Sequence, residues 1–277
     1  MNFFKISFYI IFTYLFKLKV VKLLALLDIK NIKMRYHSLK GETEAIKDVS
    51  FYVNDKDFLS ILGPSGCGKS TLLNIMSGLL PQSSGQVLFD NKPIKDNLDK
   101  IGYMFQKDHL FDWTSVWNNV TLGLKIKGLL TDENISRVEN LLNNYDLSKF
   151  KDHKPTELSG GMRQRVALIR TLALNPRVLF LDEPFSALDY QTRLNVCDEI
   201  FEIIKLEGKT AIMVTHDISE AISTSNRIIV LTKRPSLIKK EFKINFKNDP
   251  LTPFNRRKEE EFKIYFDLLW KELDNSD

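Results

Sequence analysis

Nothing in the chain restricts its fold more than the stretch Gly63-Pro64-Ser65-Gly66-Cys67-Gly68-Lys69-Ser70-Thr71. It fits G-x-x-x-x-G-K-[ST], a loop whose backbone amides cradle phosphate oxygens. Phe58 to Leu62, just before it, is short and apolar enough for a buried strand. Ser70 to Leu80, just after it, carries Leu72, Leu73, Ile75, Met76 and Leu79 at helical spacing. Strand, glycine loop and helix is the context the motif requires. Glycines let N–H groups converge on an anion, and the helix N-terminus adds partial positive charge. Lys69 is then placed to reach the β- and γ-phosphates of a nucleotide, and the Ser70 hydroxyl to help hold magnesium. The alternative, a glycine-rich turn with a chance lysine, does not account for the flanking strand and helix.

The remaining sequence alternates between short apolar runs and helical patterns. Residues 27–36 and 45–53 read as strands joined by a polar turn at 38–44, and 86–89 and 101–105 as further short strands. Residues 107–157 change character, with Trp113, Trp117 and Lys- and Asn-rich turns before a helix over 133–143, and read as a helical insertion. A helix is expected over 160–174, strands over 178–181, 210–214 and 227–231, and a long helix over 190–206. This alternation predicts an α/β fold whose parallel sheet is covered on both faces.

Two further segments point to chemistry. Val178-Leu179-Phe180-Leu181-Asp182-Glu183-Pro184 is a buried-strand run ending in two acids. Asp182 at the sheet edge suits a nucleotide-bound magnesium, and Glu183 is placed to act as general base toward a water at the γ-phosphate. Leu158-Ser159-Gly160-Gly161-Met162-Arg163-Gln164-Arg165 opens a helix with two glycines behind a serine, a second anion-binding N-terminus. Two such ends in one chain suggest a composite site between two subunits.

With these motifs in this order, the chain resembles the ATP-binding subunits of ABC transporters. The resemblance spans about Leu27 to Pro235 and rests on the phosphate loop, Gln106, the LSGG segment, the Asp-Glu strand, Ser186-Ala187-Leu188-Asp189 and His216. The fifth residue of the LSGG segment is Met162 where the family often has Gln. The resemblance implies an ABC ATPase fold: a P-loop NTPase core with a parallel sheet, an N-terminal antiparallel β-subdomain and a helical subdomain. It also implies roles for particular residues. Gly63, Pro64, Ser65, Gly66, Cys67, Gly68, Lys69, Ser70 and Thr71 would bind ATP, with Tyr36 stacking on adenine. Ser70, Asp182 and Gln106 would serve magnesium. Glu183 and His216, with Gln106, would carry hydrolysis, while Ser159, Gly160, Gly161 and Asp189 would act across a head-to-tail dimer. The segments Tyr103 to Trp113 and Lys233-Arg234-Pro235 resemble the importer branch that serves nitrate, sulfonates, taurine and thiamine-precursor pyrimidines. Trp113 and Trp117 read as core residues on general grounds, although in this family the segment after Gln106 lines a groove for a membrane-subunit helix. Transmembrane permease subunits, and indirectly an extracytoplasmic solute-binding protein, are the implied partners, with the chain peripheral on the cytoplasmic face of the cell membrane.

Composition bounds the alternatives. The net charge of +5 on 277 residues comes from the N-terminal end: residues 1–35 hold seven basic side chains against Asp28 alone, leaving 33 basic and 34 acidic residues beyond. No nucleic-acid partner is therefore expected, despite the basic balance of the whole chain. Cys67 and Cys197 make no disulfide framework. Residues 1–26 form a hydrophobic, basic leader whose uncharged run over 6–16 is short for a membrane span. It reads either as an interfacial anchor or as a stretch outside the working protein, and the second is the expectation. The ATPase domain is expected over 27–246 and a helical tail over 247–277, with a strand near 238–246 and a helix near 262–273. A DNA-repair ATPase would insert a long coiled coil between phosphate loop and LSGG segment, and ribosomal members usually carry two ATPase units. A fused exporter would need several membrane spans.

Overall fold

A computed structural model describes residues 25–39 and 41–274. The expected leader lies outside the described residues, except for Ala25 and Leu26. Both are buried, and the Leu26 carbonyl accepts a hydrogen bond from Asp90 N at 3.0 Å. Among the described residues, packing therefore reaches Ala25 and Leu26, ahead of the expected start of the ATPase domain at residue 27.

The elements run β1 (Leu27–Ser38), β2 (Gly41–Val53), β3 (Phe58–Leu62), α1 (Lys69–Met76), β4 (Ser84–Phe89), β5 (Lys92–Pro93) and β6 (Ile101–Met104). They continue with α2 (Val116–Ile126), α3 (Asp132–Asn144), α4 (Gly160–Leu172), β7 (Val178–Asp182), α5 (Tyr190–Leu206), β8 (Thr210–Thr215) and α6 (Ile218–Thr224). The last are β9 (Arg227–Leu231), β10 (Ser236–Lys243), α7 (Pro253–Arg256) and α8 (Glu260–Asp274).

Among the described residues, all ten strands belong to one sheet, in the order β5-β4-β1-β2-β10-β9-β3-β8-β7-β6. The five strands β9-β3-β8-β7-β6 pair in parallel, while β5-β4-β1-β2 pair antiparallel. The two parts are joined through β10, antiparallel to β9 and parallel to β2. The antiparallel portion is therefore continuous with the parallel core. β1 and β2 also pair farther than the sequence suggests, through Tyr36 opposite Thr43 to Ser38 opposite Gly41.

The central strands are apolar throughout because both faces are covered. Alternate residues face opposite cores, as the pleat requires. Leu179, Leu181, Ala211 and Met213 pack with the helices α2 to α5. Val178, Phe180, Ile212 and Val214 pack with α1 and the antiparallel strands. A third cluster joins Leu62, Ile228 and Val230 to α6 and to Leu269 of α8, so the tail is built into the core. Val120, Leu124 and Val138 of the insertion share the first cluster.

Two elements differ from expectation. α1 stops at Met76 rather than Leu80, because Ser77 caps it and Gly78 takes a left-handed φ of 76°, leaving Leu79 exposed. α2 lies within the expected helical insertion but ahead of the one helix expected there, over 133–143; the Ser115 hydroxyl caps it by accepting from Asn118 N, and Val116, Val120 and Leu124 bury one face.

Candidate functional site

Parallel strands deliver their C-terminal ends to one edge of the sheet, and the loops leaving those ends form the site. β3 leads into the phosphate loop, β7 into Asp182 and Glu183, β8 into His216, and β6 into Gln106. In this way strand order brings together residues that are distant in sequence.

In the phosphate loop, Gly68 sits at φ 113° just before α1, a backbone conformation that a side chain would strain. A Cβ there would also lie 3.3 Å from the Ala45 carbonyl oxygen. Lys69 is buried, and its ammonium donates to the carbonyls of Gly63 (2.8 Å) and Pro64 (3.0 Å), holding its charge inside the loop. Cys67 is buried beneath the loop, and burial pushes its thiol pKa up. Tyr36 lies on β1 with its ring partly exposed and its hydroxyl 3.2 Å from Thr71 Oγ1, at the start of α1.

Ser70 Oγ donates to Asp182 Oδ1 at 2.9 Å, joining the helix start to the end of β7. Tyr103 of β6 donates to Asp182 Oδ2 (3.3 Å) and to Asn74 Oδ1 (2.8 Å). Burial raises the Asp182 pKa, opposed by the hydrogen bonds from Ser70 and Tyr103 and reinforced by the charge of Glu183. Burial, and then the Asp182 charge, also raise the pKa of the Tyr103 phenol, which stays a donor. Among the described residues there is no group of three or more His, Cys, Asp and Glu that could hold a metal. A hydroxyl and a single carboxylate fit a hard divalent ion such as magnesium, which takes its other ligands from phosphate and water.

Glu183 is the backbone outlier of the site, at φ 44° immediately before Pro184. Its N–H donates to the Val214 carbonyl at 3.0 Å, and Ser186 Oγ donates to its carbonyl at 3.0 Å. Such left-handed geometry persists only where surroundings fix it, and it clusters at functional positions. Glu183 Oε2 lies 3.2 Å from His216 Nδ1 and accepts from Gln106 Nε2 at 3.4 Å. Gln106 also donates to Ser186 Oγ at 3.2 Å. The three side chains assigned to hydrolysis thus meet at one point. A cleft of about 530 Å³ opens there, lined by Gly63, Pro64, Ser65, Glu183, His216 and Leu273.

Behind His216 stands a network that sequence reasoning missed. Thr215 Oγ1 donates to the buried Glu220 (Oε2, 2.7 Å) and accepts from Asp217 N (3.0 Å), so Glu220 fixes the turn carrying His216. Burial is the main cause raising the Glu220 pKa to about 7. The spacing Thr215-His216-Asp217 to Glu220, at the start of a short helix, was the available signal. Tyr103 was also missed as a partner of Asp182, being one aromatic among several in its strand.

Ser159, Gly160, Gly161 and Asp189 are gathered elsewhere. Ser159 Oγ caps α4 by accepting from Met162 N at 3.3 Å, and Asp189 Oδ1 caps α5 by accepting from Thr192 N at 3.1 Å. That bond helps hold the exposed Asp189 below the usual carboxylate range. Gly161 is a close-approach position: a Cβ would lie 2.8 Å from Val196 Cγ2 of α5. None of these four residues lines the cleft over the phosphate loop. The phosphate loop with its acids and the capped helix starts therefore lie at separate places in one chain.

The segment after Gln106 is anchored to α4. Arg163 donates to both oxygens of Asp108 (2.8 and 3.1 Å) and to Asp112 (3.0 Å), and Arg170 donates to the carbonyls of Asp108 and His109. Trp113 is 75% exposed, contrary to its expected core position, while half-buried Trp117 packs against the core with Lys151 over its ring.

The family described as ABC transporter matches residues 46–186. An uncharacterized ABC transporter ATP-binding protein of Bacillus subtilis is 44% identical over 252 residues, covering 91% of this chain and 97% of its own. A taurine import ATP-binding protein of Ruegeria pomeroyi is 40% identical over 221 residues, covering 79% of this chain and 82% of its own. Among solved structures, a dimeric ATP-binding cassette in a post-hydrolysis state, bound to ADP and Pi, superposes with a TM-score of 0.68 at 34% identity. That match covers 79% of this chain and 99% of the other.

Proposed function

The chain belongs to the ABC transporter family of ATPases, and from that premise we propose that it powers an importer through separate membrane subunits. The solute is a small one of the taurine, sulfonate, nitrate or pyrimidine type, consistent with the taurine-import relative. One observation carries the reading: Ser70 is bonded to Asp182 while Glu183 meets His216 and Gln106 over the phosphate loop.

In this reading the loop amides and Lys69 bind the phosphates of ATP, and Tyr36 stacks on adenine beside Thr71. Ser70 and Asp182, with Gln106, would hold magnesium, whose charge would offset that of the phosphates. Glu183 takes the proton of the attacking water. His216 orients Glu183 and contacts the γ-phosphate, and the bonds from Thr215 and Asp217 to the Glu220 network keep it in place. The separation of the two half-sites supports closure by a second copy, in which Ser159 and Gly161 of one protomer cover nucleotide on the other's Lys69. Asp189 then contacts the partner. The exposed Trp113, on a segment pinned by Arg163, supports a docking place for a membrane subunit, so nucleotide closure would move the permease. An extracytoplasmic binding protein would deliver the solute, with this chain at the cytoplasmic membrane face.

Mixing two inactive variants tests the composite site. A Ser159→Arg chain or a Lys69→Ala chain alone can build no intact site, but a heterodimer of the two keeps one. Partial recovery of ATP hydrolysis on mixing is expected. Zero recovery with heterodimer demonstrated by two distinguishable tags would exclude the arrangement in trans.

A further inference from the structure

We propose that the last turn of α8 belongs to the surface through which two copies of this chain meet, with Leu273 as its apolar contact. The proposal rests on the dimeric reading above and adds to it a segment outside the nucleotide motifs.

Leu273 is one wall of the cleft whose other lining residues are Gly63, Pro64, Ser65, Glu183 and His216. Those five are the groups a second copy must cover in order to bring its Ser159 to the phosphates. The helix reaches the cleft because its apolar stripe, Phe262, Tyr265, Phe266, Leu269 and Leu273, packs on the cluster containing Leu62, Ile218 and Val230. Its end is fixed from the sheet: Lys240 Nζ donates to Glu272 Oε1 at 2.9 Å, and Lys239 Nζ lies 3.7 Å from Glu272 Oε2. The Lys240 hydrogen bond, with both lysine charges, holds the Glu272 carboxyl below its ordinary range. The position of Leu273 is thus set by packing on one side and by ion pairs on the neighbouring residue.

A half-buried leucine beside a phosphate site contributes nothing to anion binding, since it offers no donor and no charge. Its outward half is apolar surface at the rim of a polar cleft, which is what a partner would cover at little desolvation cost. A second copy is the occupant that fits, because the cleft is the half-site that the Ser159 half-site of another chain must close. In a two-fold dimer the contact occurs twice.

The test uses Leu273→Cys in the full chain. Cys67 and Cys197 are both buried, so a maleimide probe reads position 273 selectively. In a Glu183→Gln background with magnesium and ATP, labelling should slow about tenfold, a protection of ~1.4 kcal/mol. The protection should rise with protein concentration and vanish with Lys69→Ala. A companion variant, Leu273→Gln, which adds no charge to the phosphate cleft, should weaken ATP-driven dimerisation by roughly tenfold to a hundredfold, since the contact is lost at both copies. Binding of a fluorescent ATP analogue to the monomer should stay within about twofold, and Leu273→Met should restore dimerisation. Unchanged labelling in a dimer demonstrated by light scattering would overturn the contact while leaving the dimer standing. Protection independent of protein concentration would mean that nucleotide alone covers Leu273, and would also overturn it. Absence of any ATP-dependent dimer would overturn the dimeric reading itself, and this proposal with it.

Discussion

Replacing Glu183 by Gln isolates the proton-accepting step. The change preserves side-chain length, so contacts within reach of Gln106 Nε2 and His216 Nδ1, at 3.4 and 3.2 Å, can be kept. The backbone at φ 44° is held by Glu183 N to Val214 O and by Ser186 Oγ, neither of which involves the carboxylate, so the fold should not change. What is lost is the ability to take a proton from water. A positioned base contributes about 10²–10⁴ in rate, or ~2.7–5.5 kcal/mol of barrier. Turnover measured by phosphate release should therefore fall by roughly that factor. Binding should survive, because Lys69, Ser70 and Asp182 keep their partners. The ATP-bound dimer should accumulate, seen as a doubling of mass by light scattering. Lys69→Ala should do the opposite and lose nucleotide and dimer together, since it removes a charge-assisted contact to phosphate. Near-normal turnover by Glu183→Gln would refute the base assignment and make His216 the next residue to test.

Glu220 should impose a pH dependence on stability. Its folded pKa of about 7 exceeds its ordinary 4.5, so between those values the folded state binds more protons than the unfolded one. Its contribution is fully present below about pH 4.5, declines by ~3 kcal/mol as pH rises to 7, and is flat above. Urea midpoints for wild type and Glu220→Gln should diverge in slope across that window, and identical slopes would remove Glu220 as the cause. Arg163→Ala should cost about 1–2 kcal/mol, because it strands half-buried Asp108 beside a partly solvated Asp112, with denaturant unfolding as the measure. A chain beginning at Ala25 should bind ATP as tightly as the full chain, and a tenfold loss of affinity in titration would assign the leader a role. Removing Ala25 and Leu26 as well should destabilise, since both are buried.

The exposed Trp113 shows how residue type misleads when it is read without neighbours. Tryptophan is usually well buried, yet here Arg163 holds the segment from Asp108 to Asp112 onto α4 and leaves the indole outside. Helix α2 was hidden for a related reason. Its sequence VWNNVTLGLKI is poor in strong helix formers, and packing of Val116, Val120 and Leu124 against the core outweighs that propensity.

The sequence alone determined the phosphate loop, the Asp182-Glu183 strand end, the LSGG helix start and the alternation of strands and helices. Each is a local pattern, in which backbone conformation, helix polarity or burial period is dictated by residues a few positions apart. Only the tertiary structure decided what those patterns do together. The parallel order β3-β8-β7-β6 brings Gly63, His216, Glu183 and Gln106 to one sheet edge from positions scattered between 63 and 216. It also decided that Tyr103 bonds Asp182, that Glu220 supports the His216 turn, and that Leu273 reaches the phosphate cleft. The Tyr103 and Leu273 contacts span from about sixty to more than two hundred residues and arise from strand register and helix packing, which no short window of sequence contains, while the Thr215–Glu220 bond is local and depends on the burial of Glu220.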